Sequence, residues 1–167
     1  TFEKTSTDWG AGPTGFSNGA AYADLDGDGD LDLVTNNVKN RAWIYRNNAA
    51  QRTDHHYLRV ELAGTGRNRF GIGARVTLTT PDGTTHMQEM VPARGLQSSV
   101  EPVLTFGLGA ADTVALTVTW PDQTREHRTA VRTNRTLTLH QEDAIPVEPS
   151  PADSANPPLA PVSSEAN

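Results

Sequence analysis

The chain contains no cysteine. Disulfides, thiolate metal sites and cysteine nucleophiles are therefore excluded. Aromatic residues are scarce at 6%, and hydrophobic residues make up 35% of the 167 positions. That suits a modest β-type core better than the large core of an enzyme. No stretch approaches the roughly 18 consecutive apolar residues of a membrane helix, so no membrane span is expected. Catalytic signatures are missing as well. There is no G-x-S-x-G nucleophile elbow, and Ser98-Ser99 lacks glycines at the required offsets. The glycine-rich stretch fails as G-x-G-x-x-G, because the sixth position is Arg69 counted from Gly64 and Val76 counted from Gly71. It also lacks a βαβ context, so these glycines are expected to serve tight turns and close backbone approach. No signal peptide is visible. Because the first residue is Thr1 rather than Met, an upstream portion is expected.

The net charge of −6 is unevenly spread. Asp24 to Asp32 carries five acids, and Gln141 to Asn167 carries five more with no base. Between Leu33 and His140, Lys39 and twelve arginines outnumber eight acids. The arginines fall at strand-alternating positions, as at Arg59 and Arg75, and read as a solvated sheet face. Without a dense basic patch or interleaved aromatics, nucleic acid is not an expected partner.

The most informative segment is Asp24-Leu25-Asp26-Gly27-Asp28-Gly29-Asp30-Leu31-Asp32. Two carboxylates about 4 Å apart repel by on the order of 4 kcal/mol at an effective dielectric of about 20. A folded loop tolerates such crowding when a cation neutralises it. Oxygen-only donors in a flexible loop favour calcium, which accepts roughly six to eight oxygens, over the stricter octahedron of magnesium. The D-x-D-x-D-G-x-x-D spacing directs the side chains of Asp24, Asp26, Asp28 and Asp32 to one point. Asp30, at the seventh position, is expected to offer its main-chain carbonyl while its carboxylate faces water. Gly29 supplies the tight turn. A 12-residue EF-hand loop is excluded because its last position falls on Thr35, not on a bidentate acid. The residues after the loop, Leu31 to Thr35, are β-prone, so the loop joins two strands.

Around this loop the chain divides into four zones. Residues 1–48 hold the loop between β-prone stretches and end in the aromatic strand Ala42 to Tyr45, making a blade of four antiparallel strands or most of one. Residues 49–55 form a polar linker. Residues 56–140 alternate with period two throughout: Leu58, Val60 and Leu62; Val76 and Leu78; Val114, Leu116, Val118 and Trp120; Leu137 and Leu139. Pro81-Asp82-Gly83 and Pro121-Asp122 mark hairpin turns. Six to eight short strands with no helical periodicity predict an Ig-like β-sandwich. Residues 141–167 are acidic and rich in Pro, Ser and Ala, and are expected to be a disordered tail. The predicted class is all-β: a partial β-propeller blade, a β-sandwich and a tail.

Other candidates are weaker. Asp54-His55-His56 fits a surface or packing role better than a transition-metal site. Trp43, Tyr45 and Trp120 read as strand aromatics facing the core rather than a sugar platform. Arg67, Arg69 and Arg94 read as solvated loop residues rather than an anion pocket.

Phe16 to Ala23, running into the Asp loop and Leu33-Val34, resembles an FG-GAP/VCBS repeat, a propeller blade with a calcium loop. The following region resembles the ASPIC/UnbV domain. That likeness is carried by His56-Tyr57-Leu58, Gly64 to Ala74, Phe106-Gly107-Leu108-Gly109 and Trp120-Pro121-Asp122. Together the two resemblances cover about Phe2 to His140. They imply a secreted or cell-surface protein with further propeller blades upstream, and they carry over the metal role of Asp24, Asp26, Asp28, Asp30 and Asp32. One blade alone would leave both of its edges open. The expected function is a non-catalytic, calcium-binding interaction module for a protein or glycan ligand. The alternative is the accessory substrate- or carbohydrate-binding region of a larger secreted hydrolase.

Overall fold

The structure, a computed structural model, describes residues 3, 5, 8, 10, 14–49, 51–52 and 54–146. The tail expectation for 147–167 lies outside the described residues. The fold is all-β, with strands β1 (Ser17–Ala23), β2 (Asp32–Asn37), β3 (Trp43–Tyr45), β4 (Tyr57–Ala63), β5 (Arg75–Thr79), β6 (Thr85–Glu89), β7 (Ala93–Gly95), β8 (Ser98–Ser99), β9 (Val103–Gly107), β10 (Thr113–Thr119), β11 (Arg125–Arg132) and β12 (Arg135–His140). One 3-10 turn follows at Gln141–Asp143. Among the described residues no helix is long and apolar enough to cross a membrane.

The first sheet has the order β1-β2-β3 and is antiparallel, with Ala21 opposite Val34 and Val34 opposite Ile44. It has three strands, where the sequence led to an expectation of four or most of four. The Asp loop joins β1 to β2, as its β-prone flanks require.

The sandwich stacks the sheet β11-β10-β5-β6 on the sheet β12-β4-β9, with the two-stranded ribbon β7-β8 beside them. Period-two alternation aims one side of each strand inward. Leu58, Val60, Leu62, Val76, Leu78, Leu104, Phe106, Leu116, Val118, Trp120 and Leu139 are all buried in one cluster. Both turn signals sit where the sequence predicts. Gly83 N–H donates to Thr80 O between β5 and β6, and Gln123 N–H donates to Trp120 O between β10 and β11. Alternation alone carries no strand direction, and β12 pairs with β4 in parallel while β9 pairs with β4 antiparallel.

The glycine-rich stretch folds back on the sandwich end. At Gly71, with φ +60°, a Cβ would press on Leu62 and on the Trp120 ring. Close backbone approach is thus the reason for glycine there. Ordered structure continues past the predicted boundary at His140. Arg125 and Ile145 exchange both backbone hydrogen bonds at 2.9 Å, and Gln141 Nε2 donates to Asp122 at 2.8 Å. Residues 141–146 pack on the sandwich because Ala144 reaches its core.

Candidate metal centre

Alternating Asp and Gly residues give the β1–β2 loop its shape. Gly27 and Gly29 take φ values of +78° and +93°, which residues with a Cβ rarely adopt. Aspartate side chains cap the backbone that these turns expose. Asp24 accepts from Gly27 N–H at 2.8 Å and Gly29 N–H at 3.1 Å, and Asp28 accepts from Asp30 N–H at 3.0 Å. The result brings carboxylate oxygens of Asp24, Asp26 and Asp28 within 4.8 Å of one another.

The other two predicted residues are placed differently. Asp32 is almost fully buried, and its two oxygens accept Leu25 N–H at 3.1 Å and Asn47 N–H at 2.7 Å. It ties the loop entry to the segment after β3. Asp30 is half-buried rather than turned fully to water.

Two arginines and a glutamine bear on the cluster. Arg46 Nη2 lies 2.6 Å from Asp26 and 3.7 Å from Asp28, with 59% of its side chain exposed. Gln51 Nε2 donates to Asp28 at 2.6 Å, so part of the expected linker is anchored to the loop. The Asp28 carboxyl is held below its ordinary pKa. The Asp30 N–H is the largest cause, followed by the Gln51 amide and the Arg46 charge, while burial opposes them.

Arg59 is the residue that strand alternation misplaces. Leu58, Val60 and Leu62 face the core, so Tyr57, Arg59 and Glu61 face outward. A solvated Arg59 follows from that pattern, but the Asp loop covers this patch of the sheet. Arg59 Nη1 donates to Asp24 at 2.6 Å and Nη2 to Glu101 at 2.8 Å. The Arg59 side chain is 16% exposed and that of Asp24 only 2%. Beside them, Gly29 lies so close to the Tyr57 ring that a Cβ would collide with it. Neither contact has a local signal, because Arg59 follows Asp24 by 35 residues. A glycine of the loop meeting an outward tyrosine is equally non-local.

The remaining candidates divide between packing and surface places, with Asp54, His55, Arg67 and Arg69 exposed. His56 Nδ1 meets Ala111 O at 3.1 Å and Thr133 Oγ1 at 3.3 Å, which fixes the chain entering β4. Trp120 lies in the core, and Trp43 meets Tyr45 edge to face at 6.4 Å between centroids. Arg94 stacks over the Tyr22 ring at 5.9 Å. Among the described residues, Asp24, Asp26 and Asp28 are the group of three or more His or acidic side chains that converge. Their donor set is all oxygen and carries several charges on a turn-rich loop. That fits calcium and lacks the nitrogen or sulfur ligands that zinc or copper favour.

Residues 64–146 match the family described as ASPIC and UnbV. The match covers the sandwich from the glycine-rich stretch through Ile145, and begins just after β4. The Asp loop and Arg59 therefore lie before the ASPIC and UnbV match. The chain is also similar to cartilage acidic protein 1. It is 35% identical to the Homo sapiens and Mus musculus proteins over 116 residues, and 34% identical to the Xenopus tropicalis protein over 113. In each case the similarity covers 66% of this chain and 17% of the relative. The chain thus spans about a sixth of the length of these relatives.

Proposed function

We propose that this chain is a non-catalytic, calcium-binding module of an extracellular interaction protein, in which the loop from Asp24 to Asp32 is braced by the ion. The observation that carries this reading is the convergence of Asp24, Asp26 and Asp28 on one point. The three carboxylates supply side-chain oxygens, and the Asp30 carbonyl is the expected main-chain ligand. Asp32 closes the loop by pinning Leu25 and Asn47. A bound calcium ion supplies positive charge to offset carboxylate repulsion, not a Lewis acid for turnover. The relatives carry the name cartilage acidic protein, which supports an extracellular setting, where modules bind calcium in the range of about 10⁻⁴–10⁻³ M.

The first sheet is read as a blade of the FG-GAP/VCBS type. Its three antiparallel strands support this, as do the exposed Phe16 and Ile44, which neighbouring blades of a longer protein would cover. The sandwich then presents its loops to a protein or glycan ligand.

A thermal melt of the full 167-residue chain, with calcium and with chelator, tests the reading. At a calcium concentration about a hundred times the dissociation constant, the stabilisation is about 2.7 kcal/mol. Asp28→Ala abolishes the difference. Equal midpoints with and without calcium would overturn the assignment.

A further inference from the structure

We propose that the sandwich completes the calcium site, with Arg59 as a positioning residue for Asp24, so that calcium binding and seating of the loop on the sandwich are linked. This rests on the calcium reading above. Asp24 is the first acidic position of the loop, and its carboxylate is set from outside the loop as well as within it. Gly27 N–H donates to Asp24 Oδ1, and Gly29 N–H and the Arg59 guanidinium both donate to Asp24 Oδ2, the latter at 2.6 Å. Arg59 belongs to β4, whose inward neighbours Leu58 and Val60 are fully buried, so its backbone is a rigid mount. Glu101 takes the other end of the guanidinium at 2.8 Å and offsets its charge. A cation can therefore approach Asp24 without meeting an uncompensated positive group. The Tyr57 ring against Gly29 sets how closely the loop can sit.

Outer-shell partners of metal ligands fix ligand orientation, and their loss typically lowers affinity by about 10- to 100-fold. Linkage is reciprocal. If seating on Arg59 strengthens calcium binding by some factor, calcium strengthens the seating by the same factor. A purely electrostatic role predicts the opposite sign, because deleting a positive charge beside a cation site tightens binding.

The test is calcium calorimetry on the full chain, combined with hydrogen exchange of the segments 24–32 and 98–107. In the unaltered protein, calcium is expected to slow exchange in both segments, by about fivefold or more in 98–107. Arg59→Gln is expected to weaken calcium binding about tenfold and to confine the protection to 24–32. Glu101→Gln, at a half-exposed position, leaves Asp24 paired, so it serves if Arg59→Gln does not fold. It is expected to remove the response of 98–107 while 24–32 still responds. The proposal is overturned if calcium protects 24–32 but leaves 98–107 unchanged, or if Arg59→Gln binds calcium as tightly or more tightly. Absence of any calcium heat in the unaltered protein overturns the calcium reading itself, and the linkage with it.

Discussion

Among the described residues, the buried apolar cluster lies entirely between Leu58 and Leu139. The side chains most buried in the preceding sheet are Asp32 and Asn37. One region is held by non-directional burial of aliphatic and aromatic surface. The other is held by carboxylates and amides with fixed partners: Asp32 on Leu25 and Asn47, Asn37 on Ser17 and Arg41, and Asp24 on Arg59. Hydrophobic burial is indifferent to ions, whereas a crowded set of carboxylates is not. The two regions should therefore answer different perturbations, although they share one ion pair.

The largest expected effect separates them through the core. Leu116→Ala, at a fully buried position of β10, should cost the sandwich about 2–5 kcal/mol by losing apolar burial and leaving a cavity. Urea unfolding followed by circular dichroism should give the same loss with calcium and with chelator. A loss that depended on calcium would mean that the core substitution changes calcium affinity, so that the two regions do not respond separately.

Next comes the loop. Gly29→Ala forces a Cβ into the Tyr57 ring at a φ of +93°. It should remove most of the calcium-dependent stabilisation, of about 2.7 kcal/mol near saturation. The calcium-independent part of the melt should stay in place, because the ring belongs to the outward face of β4. Gly71→Ala is the matched control on the sandwich side, where a Cβ meets Leu62 and Trp120. Overpacking there should cost about 1–3 kcal/mol, with no change in calcium response.

The smallest effect is acid sensitivity in the sandwich turns. Asp82 is held below the ordinary carboxylate pKa chiefly by the Thr80 hydroxyl and then by Thr84 N–H. Asp122 is held down by the Thr124 hydroxyl, then Thr124 N–H, then the Gln141 amide. A depressed carboxyl contributes stability that is present above its unfolded pKa and is lost as pH falls through the depressed value. Stability of the sandwich should thus begin to fall below about pH 4. The double variant Asp82→Asn, Asp122→Asn should flatten that decline. An unchanged acid limb would show that these turns do not contribute.

The sandwich was the legible part of the chain. Apolar residues at alternate positions within single strands, from Leu58 in β4 to Leu139 in β12, place both core faces, and Pro-Asp turns place two hairpins, because each signal is local. Parallel pairing of β12 with β4 is not local, and alternation is silent on it. At the loop, the D-x-D-x-D spacing brings together Asp24, Asp26 and Asp28. It does not reveal that Asp32 is spent on backbone N–H groups, because Asn47 arrives from beyond β3. Arg59 carried a misleading signal. An outward strand position reads as solvated unless another part of the chain covers it, and the residue that meets Arg59 is an aspartate 35 positions earlier. The polar run after Asn47 reads as a linker for the same reason, although Gln51 reaches back to Asp28.

Calcium calorimetry of the unaltered chain and of Asp28→Ala decides whether the loop from Asp24 to Asp32 holds calcium. One saturable site is expected in the unaltered protein and none in the variant, whose sandwich remains folded by circular dichroism. The absence of saturable heat, or equal binding by both proteins, would contradict it.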